Sequence, residues 1–284
     1  MKKIFTFLIF YFVLCCSLSY AVDEGGKISV TYIANEGFLI ESGDKKILID
    51  ALFKNNAIDF CDVPSEETIR NILTVKPPFD DVDLLLFTHQ HIDHFDADLA
   101  LTYMKNNKNC NLIGPQQVVD QLSESEGYKE ITERVHSITP PIGHSEHTNV
   151  NGIKLLVLRF QHSSYFATDV ETGKEVDRHK NIQNLGFMIN LGNYKILHIG
   201  DSFLQNIDEY KAYRLDKEKI DIAFLLFDPL RIEAVKTYIK PKNIIMMHLP
   251  KDKQSYFNLR DTYQSSIAPT TIFTEELEKQ DFNK

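Results

Sequence analysis

Cysteine is scarce in this 284-residue chain, which has four, and Cys15 and Cys16 fall in an apolar N-terminal run. The remaining two, Cys61 and Cys110, are too few for a zinc-ribbon framework and fit either one disulfide or two separate thiols. Positive charge is also short, with 31 Lys and Arg against 40 Asp and Glu. No basic cluster overrides that balance, so nucleic acid is disfavoured as a partner, because an acidic surface repels phosphate. Linkers rich in Gly, Ser or Pro, low-complexity tracts and internal repeats are absent as well, which points to one domain rather than two.

At the N-terminus, Met1-Lys2-Lys3 precedes an apolar stretch from Ile4 to Leu18 and a small-residue exit at Ser19-Tyr20-Ala21. This is the charged, apolar and A-x-A-like order of a secretory signal peptide. The stretch falls short of the roughly 20 apolar residues that span a bilayer, and neither cysteine in it follows the small residue of a lipobox. The expectation is a signal peptide over residues 1–21 and an exported domain over 22–284, periplasmic or extracellular, with no stable membrane span. Loss of Lys2 and Lys3 leaves 29 basic residues against 40 acidic ones, net −11.

Short apolar runs separated by turns follow. Strands are expected at 28–33, 38–41 and 46–50, with Ser42-Gly43-Asp44-Lys45 as a hairpin turn. Residues 65–74 read as a helix with Ser65 as N-cap and Glu66 and Glu67 in its first turn, where the helix dipole favours acids. Asp83 to Phe87 is a buried-strand run; Asp96 caps the next helix and Pro115 opens another. Residues 125–151 look polar and irregular, the place expected for substrate-shaping loops. Further strands are expected at 153–160, 185–191, 194–199, 220–227 and 243–247, with a helix over 229–239. Layers of strands with helices between them in sequence predict sheets covered by helices on their outer faces.

The stretch "FTHQHIDHF", residues 87–95, packs His89, His91, Asp93 and His94 into six positions. That spacing is not one helical face, which would place ligands at i and i+4. On a loop leaving a strand, His89 and His91 can converge on one ion while Asp93 and His94 turn toward a second. Three other apolar runs also end in ligand types: Leu158-Arg159-Phe160 leads to His162, Leu197-His198-Ile199 to Gly200-Asp201, and Ile245-Met246-Met247 to His248. A lone histidine is usually structural, but four strand ends carrying ligands describe a metal site along one edge of packed sheets.

These elements, with an early strand ending in Asp50, resemble the metallo-β-lactamase superfamily, whose H-x-H-x-D-H signature stands here as His89-Gln90-His91-Ile92-Asp93-His94. The resemblance implies an α/β fold, a four-layer αββα sandwich of two mixed β-sheets flanked by helices. It also implies two divalent metal ions, one held by His89, His91 and His162, the other by Asp93, His94 and His248, with Asp201 bridging. Two cations about 3.5–4 Å apart lower the pKa of a shared water and hold the substrate's oxygen opposite it. Asp93 and Asp201 are then the expected catalytic carboxylates, Asp93 also moving a proton toward the leaving group. Zinc is the default metal, with manganese or iron as alternatives.

Zinc β-lactamases of the family carry Cys at the bridging position, so Asp201 argues against drug hydrolysis. The sequences around "NEGFLIESGDKKILID" and "NLGFMINLGNYKILHIGDS" look most like the compact lactonase and phosphodiesterase subgroup, without the histidine that subgroup often carries near Asn35 or Glu36. The expected function is a secreted dinuclear hydrolase of a small-molecule ester, lactone or phosphodiester. Competing readings are a mononuclear iron oxygenase of sulfur compounds, using His89, His91 and His162, and a non-catalytic metal-binding module. His144 and His147 are candidates to face the metals, Tyr165 to donate to a developing oxyanion, and Arg178 and His179 to meet an anionic substrate, although the commoner role of each is a solvated or stacking side chain. His198 has the opposite strand parity to Asp201 and is left out of the site. Asp228 reads as a helix-start device or as support for a ligand.

Overall fold

The computed structural model describes residues 26–54, 59–203, 207–228 and 231–284, and in it the short apolar runs pair into two seven-stranded sheets. The first has the order β16 (Lys279–Asn283), β1 (Lys27–Ala34), β2 (Gly37–Ser42), β3 (Lys45–Ile49), β4 (Leu84–Leu86), β5 (Asn111–Gly114) and β6 (Val135–Ser137). The second runs β15 (Thr270–Thr271), β14 (Asn243–Met247), β13 (Ile222–Leu226), β12 (Tyr194–His198), β11 (Gln183–Leu191), β8 (Ile153–Gln161) and β7 (Ser145–Val150). A separate ribbon joins β9 (Phe166–Thr168) to β10 (Glu175–Asp177). Each large sheet is mixed: β1, β2 and β3 pair antiparallel and β3 to β6 parallel, while β7, β8, β11 and β12 pair antiparallel and β12 to β15 parallel.

Alternation along the strands decides what each face covers. Val30, Phe38, Ile40, Ile47, Leu84 and Leu86 pack with Val157, Phe187, Ile196 and Phe224 of the other sheet, and the Phe38 and Phe224 rings lie 4.7 Å apart. The intervening Leu39, Leu48, Leu85 and Leu112 face the opposite way, onto Ile72, Tyr103, Met104 and Val118 of α1 (Glu66–Leu73), α2 (Ala97–Asn106) and α3 (Gln116–Ser123). Ser65 and Asp96 cap α1 and α2 through side-chain oxygens, and Pro115 is the N-cap of α3. The second sheet is covered by α4 (Ile207–Tyr213), α5 (Ile232–Ala234) and α6 (Phe257–Ser266), with Phe160 stacked on Tyr210 at 4.7 Å. The result is the αββα sandwich. Each fully buried large apolar side chain in it contributes about 1.5–3 kcal/mol, so the shared face between the sheets is the main source of stability.

Two expectations change. Residues 125–151 are not irregular throughout: they supply β6 and β7, each at the edge of a sheet, and β7 is polar because most of its side chains are exposed. The helix expected over 229–239 is seen as α5 followed by a single π turn, Val235–Ile239, that ends at Lys240 with φ 54°; Pro229 lies outside the described residues. So does the expected signal peptide. Among the described residues no helix is long and apolar enough to cross a membrane. Cys61 and Cys110 are both buried and unbonded, in separate apolar clusters.

Candidate metal centre

Six strand ends deliver polar side chains to one edge of the sandwich: Asn35 and Glu36 after β1, Asp50 after β3, Thr88 to His94 after β4, His162 after β8, Asp201 after β12 and His248 after β14. Left-handed backbone at Asn35 (φ 49°), Asp50 (43°), Gly200 (54°) and His248 (55°) turns the chain sharply there, and strained positions of this kind gather at functional sites. Gly200 is required, because a Cβ there would come within 2.4 Å of Asn184 Oδ1 and 2.9 Å of Thr88 Cβ.

Three groups of ligand atoms result, two of them sharing Asp201 and a third made of Glu36, Asp50 and His198. Those of His89, His91, His162 and Asp201 all lie within 4.8 Å of one another, and so do those of Glu36, His94, Asp201 and His248. Asp201 divides its carboxylate between them. Its Oδ2 is 3.2 Å from His162 Nε2 and 3.8 Å from His89 Nε2, while Oδ1 is 3.5 Å from His248 Nε2 and 3.6 Å from His94 Nε2. Asp93 Oδ2 also faces the second group, 3.4 Å from His94 Nε2 and 3.6 Å from His248 Nε2. The seven residues expected from the sequence are thus brought together, His89, His91 and His162 around one oxygen of Asp201 and His94 and His248 around the other.

The imidazoles are oriented from behind. Thr88 donates its N–H (2.8 Å) and its hydroxyl (2.5 Å) to Asp50, and Asp50 Oδ2 accepts from His94 Nδ1 at 3.0 Å. With its proton committed to Asp50, Thr88 Oγ1 accepts from His89 Nδ1 at 3.0 Å. His162 Nδ1 donates to the Ser163 carbonyl at 2.8 Å. Each contact holds a proton on Nδ1 and turns Nε2, the atom a metal would take, toward the centre. Asn35 Nδ2 holds Asp93 through its carbonyl and Oδ2, both at 3.2 Å. Asn35 therefore orients a ligand from the turn where the sequence lacks the expected histidine near Asn35 or Glu36.

Burial, reinforced by neighbouring imidazoles, holds His89 well below its ordinary value and His91 at about 4. Burial pushes Asp201 and Asp93 up, but His248, His94 and His162 around Asp201, and His94 and His248 around Asp93, outweigh it and keep both ionised. His94 and His248 are raised, since the two carboxylates overcome burial. Glu36 is pushed well above the carboxylate range, by burial first and then by Asp201. Buried polar atoms normally have hydrogen-bond partners, yet Asp201 Oδ1 and both carboxyl oxygens of Glu36 have none. The neutral imidazoles of His89 and His91, the ionised carboxylates of Asp93 and Asp201, and oxygens without donors form a set that a divalent cation satisfies, displacing the protons of His94 and His248 as it binds. The residues fit a metal pair.

A cleft of about 510 Å³ opens over the centre. Phe60 and Ile92 give it apolar walls, Gln90, Gln121, Ser163 and His179 polar ones, and His91, Asp93, Asp201 and His248 form its floor. A larger hollow of about 700 Å³, at the Gly43 and Gly192 turns, contains none of these residues. Phe60 stacks on His248 at 5.3 Å, and His179 sits 4.4 Å from His162 and 4.8 Å from His91, ring to ring. Of the lesser candidates, His179 alone lines the cleft. His147 borders a different groove, His144 Nδ1 contacts the Ile142 carbonyl, Arg178 pairs with Asp169, and Tyr165 is exposed with its ring 5.4 Å from His179. Asp228 is held by Arg231 at 3.1 Å. His198 lies behind the ligands, accepting from Gly200 N–H and facing the Glu36 carbonyl. Residues 125–151 contribute nothing to the lining. Glu36, Asp50 and Thr88 had no assigned role in the sequence reading. Asp50 alone carried a signal there, as the end of an apolar strand.

The sequence matches the family described as Beta-lactamase superfamily domain over residues 45–236, and the chain belongs to that family. It is 28% identical over 264 residues to a UPF0173 metal-dependent hydrolase of Polynucleobacter asymbioticus, covering 89% of this chain and 84% of the relative. Its fold is similar to that of Igni18, a metallo hydrolase from Ignicoccus hospitalis, at 17% identity and TM-score 0.60, covering 91% of this chain and 99% of the other. It is also similar to that of an isothiocyanate hydrolase from Delia radicum gut bacteria, at 16% identity and TM-score 0.61, covering 90% and 100%. The family match and these structures together place the sandwich described above among metallo-β-lactamase folds.

Proposed function

We propose that this chain is an exported dinuclear metal-dependent hydrolase that cleaves an ester, lactone or phosphodiester of a small molecule, with neutral esters and lactones favoured. The observation that carries the reading is the divided carboxylate of Asp201, one oxygen facing each ligand group within 3.8 Å. The naming of relatives that cover most of the chain as metal-dependent hydrolases supports it. Bound divalent cations, zinc by default, supply a water of near-neutral pKa and a Lewis-acidic pair. Asp93, on the cleft floor, is held by Asn35 at Oδ2, the oxygen that faces the second ligand group, and its other carboxylate oxygen is left to take a proton and release it to the leaving group. His179 donates Nδ1–H to the Ser163 carbonyl at 2.9 Å, which leaves Nε2 as an acceptor for a substrate hydroxyl or amide.

The preference for a neutral substrate rests on the cleft lining, which includes no Lys or Arg among the described residues. A phosphodiester would lean on the metals alone for its charge. The order of charged, apolar and small residues before Val22 supports export. The mono-iron oxygenase is disfavoured because the second ligand group is complete.

Elemental analysis of the 22–284 chain, with turnover of a generic carboxylic ester, a lactone and a phosphodiester by wild type and Asp201→Ala, tests the reading. Close to two metals and ester or lactone turnover that Asp201→Ala loses is the expected result. One iron, or no metal, with no hydrolysis would overturn it. Mass spectrometry of the protein collected outside the producing cell reads the N-terminus, expected at Val22.

A further inference from the structure

We infer that Glu36 is a ligand of the second metal, so that this position combines three carboxylates with two imidazoles and accepts manganese more readily than the first position does. The inference rests on the dinuclear reading above. Residues 45–236 carry the family match, so that match assigns nothing to Glu36.

Glu36 is fully buried, in the turn between β1 and β2, and neither of its carboxyl oxygens has a hydrogen-bond donor. The chain places it there on purpose-built backbone. Asn35 turns with φ 49°, and Gly37 passes so close to Asp50 and Ala34 that a Cβ would lie 2.8 Å and 2.9 Å from their carbonyl oxygens. A carboxyl oxygen of Glu36 lies within 4.8 Å of the ligand atoms of His94, Asp201 and His248, and one also lies within that distance of those of Asp50 and His198, both already engaged by other groups.

Neighbouring groups that might have paired with it are already engaged. Asp50 is occupied by Thr88 and by His94 Nδ1. His198 accepts from Gly200 N–H at one nitrogen and faces the Glu36 backbone carbonyl, not its carboxyl, with the other. The closest positive partner is His94 Nδ1, 3.9 Å away and directed at Asp50. A buried carboxyl beside the Asp201 carboxylate, with no donor for either inner oxygen, is resolved by a cation or by a shared proton.

Charge favours the cation. Two divalent ions bring four positive charges, against which Asp93, Asp201 and, behind His94, Asp50 set three; Glu36 adds a fourth in a place where uncompensated charge is costly. Ligand type then separates the positions. The first has three imidazoles and one carboxylate oxygen, a set suited to zinc. The second has two imidazoles and three carboxylates, and carboxylate ligands suit manganese.

The test uses the metal-free 22–284 chain, given one equivalent of Zn²⁺ and then excess Mn²⁺, and desalted. Elemental analysis of wild type is expected to give about one zinc and one manganese. Glu36→Gln is expected to keep the zinc, bind manganese at least tenfold more weakly, and lose most of the rise in Tm that Mn²⁺ gives wild type; Glu36→Asp recovers part of both. Two metals in Glu36→Gln at an unchanged ratio would overturn the inference and leave a proton shared with Asp201. Fewer than two metals in wild type would sink the dinuclear reading itself. Should the variants fail to fold, infrared difference spectra of wild type decide: loss of a protonated-carboxyl band on Mn²⁺ loading is expected, and its persistence refutes ligation.

Discussion

The two ligand groups share Asp201 and one edge of the sandwich, but they solve the problem of burial in opposite ways. Around His89 and His91 the field is set by burial and by imidazole against imidazole, and both rings are kept neutral. Around His94 and His248 it is set by the carboxylates of Asp93 and Asp201, and in the metal-free protein the rings hold protons. The first group is therefore ready to receive a cation, whereas the second must first release protons. Identical residue types, a few ångströms apart, acquire different behaviour from the charges packed against them.

The most severe way to erase the distinction is to remove what the groups share. Asp201→Ala is expected to lower the metal content of both positions and to cut kcat/KM by about a thousandfold or more; elemental analysis beside the kinetics would show whether one position survives alone. Removing one member from each side should separate them. His248→Ala is expected to keep about one metal, bound by the first group, while His162→Ala empties that group and leaves the second weakened through their common carboxylate.

Changes behind the ligands should have smaller effects and still tell the groups apart. Thr88→Val removes the acceptor for His89 Nδ1 and is expected to weaken the first metal about 10–100-fold. Asp50→Asn disturbs His94 directly and His89 through Thr88, so it should weaken both. Competition with a chelator of known affinity would read the difference.

Acid sharpens the contrast without mutation. His94 and His248 hold protons at pH values above the usual 6.5, but His91 resists protonation down to about 4. Dialysis from pH 7 to pH 5 is therefore expected to strip the second metal before the first. In the metal-free protein the signs are opposite. The contribution of His94 and His248 to stability is present below 6.5 and fades as pH rises through their raised values. The burden from His91 is absent above 6.5 and grows as pH falls toward 4. The smallest effect should come from a site remote from both groups: Ser65→Ala removes the α1 cap, costs about 1 kcal/mol in denaturant unfolding, and leaves the metal content untouched.

Much of this centre was legible in the sequence because its ligands follow apolar strands, and the change from Leu-Leu-Leu to His, or from Ile-Ile-Met-Met to His, is abrupt. The caps on α1 and α2 were legible for a similar reason, since Ser65 and Asp96 act on amides three residues away. Glu36 was not. In "ANEGF" a polar pair before glycine has the composition of an exposed turn, and only the second sheet, packed across it, makes it interior. Asp50 marked the end of a strand, but its partners Thr88 and His94 lie 38 and 44 residues away. The strand β7 was missed because an edge with both faces wet carries no alternation, and the π turn after α5 because a widened turn has the same apolar spacing as a helix.

His89, His91 and His94 leave the first sheet, while His162, Asp201 and His248 leave the second. Neither half of the chain can assemble a complete ligand set by itself, so ion capture is a checkpoint on folding as much as a step toward catalysis. A cation held between the sheets acts as a removable cross-link across the sandwich, and its binding free energy becomes part of the stability of their union. A chain with one sheet misdocked would announce the error by failing to retain metal.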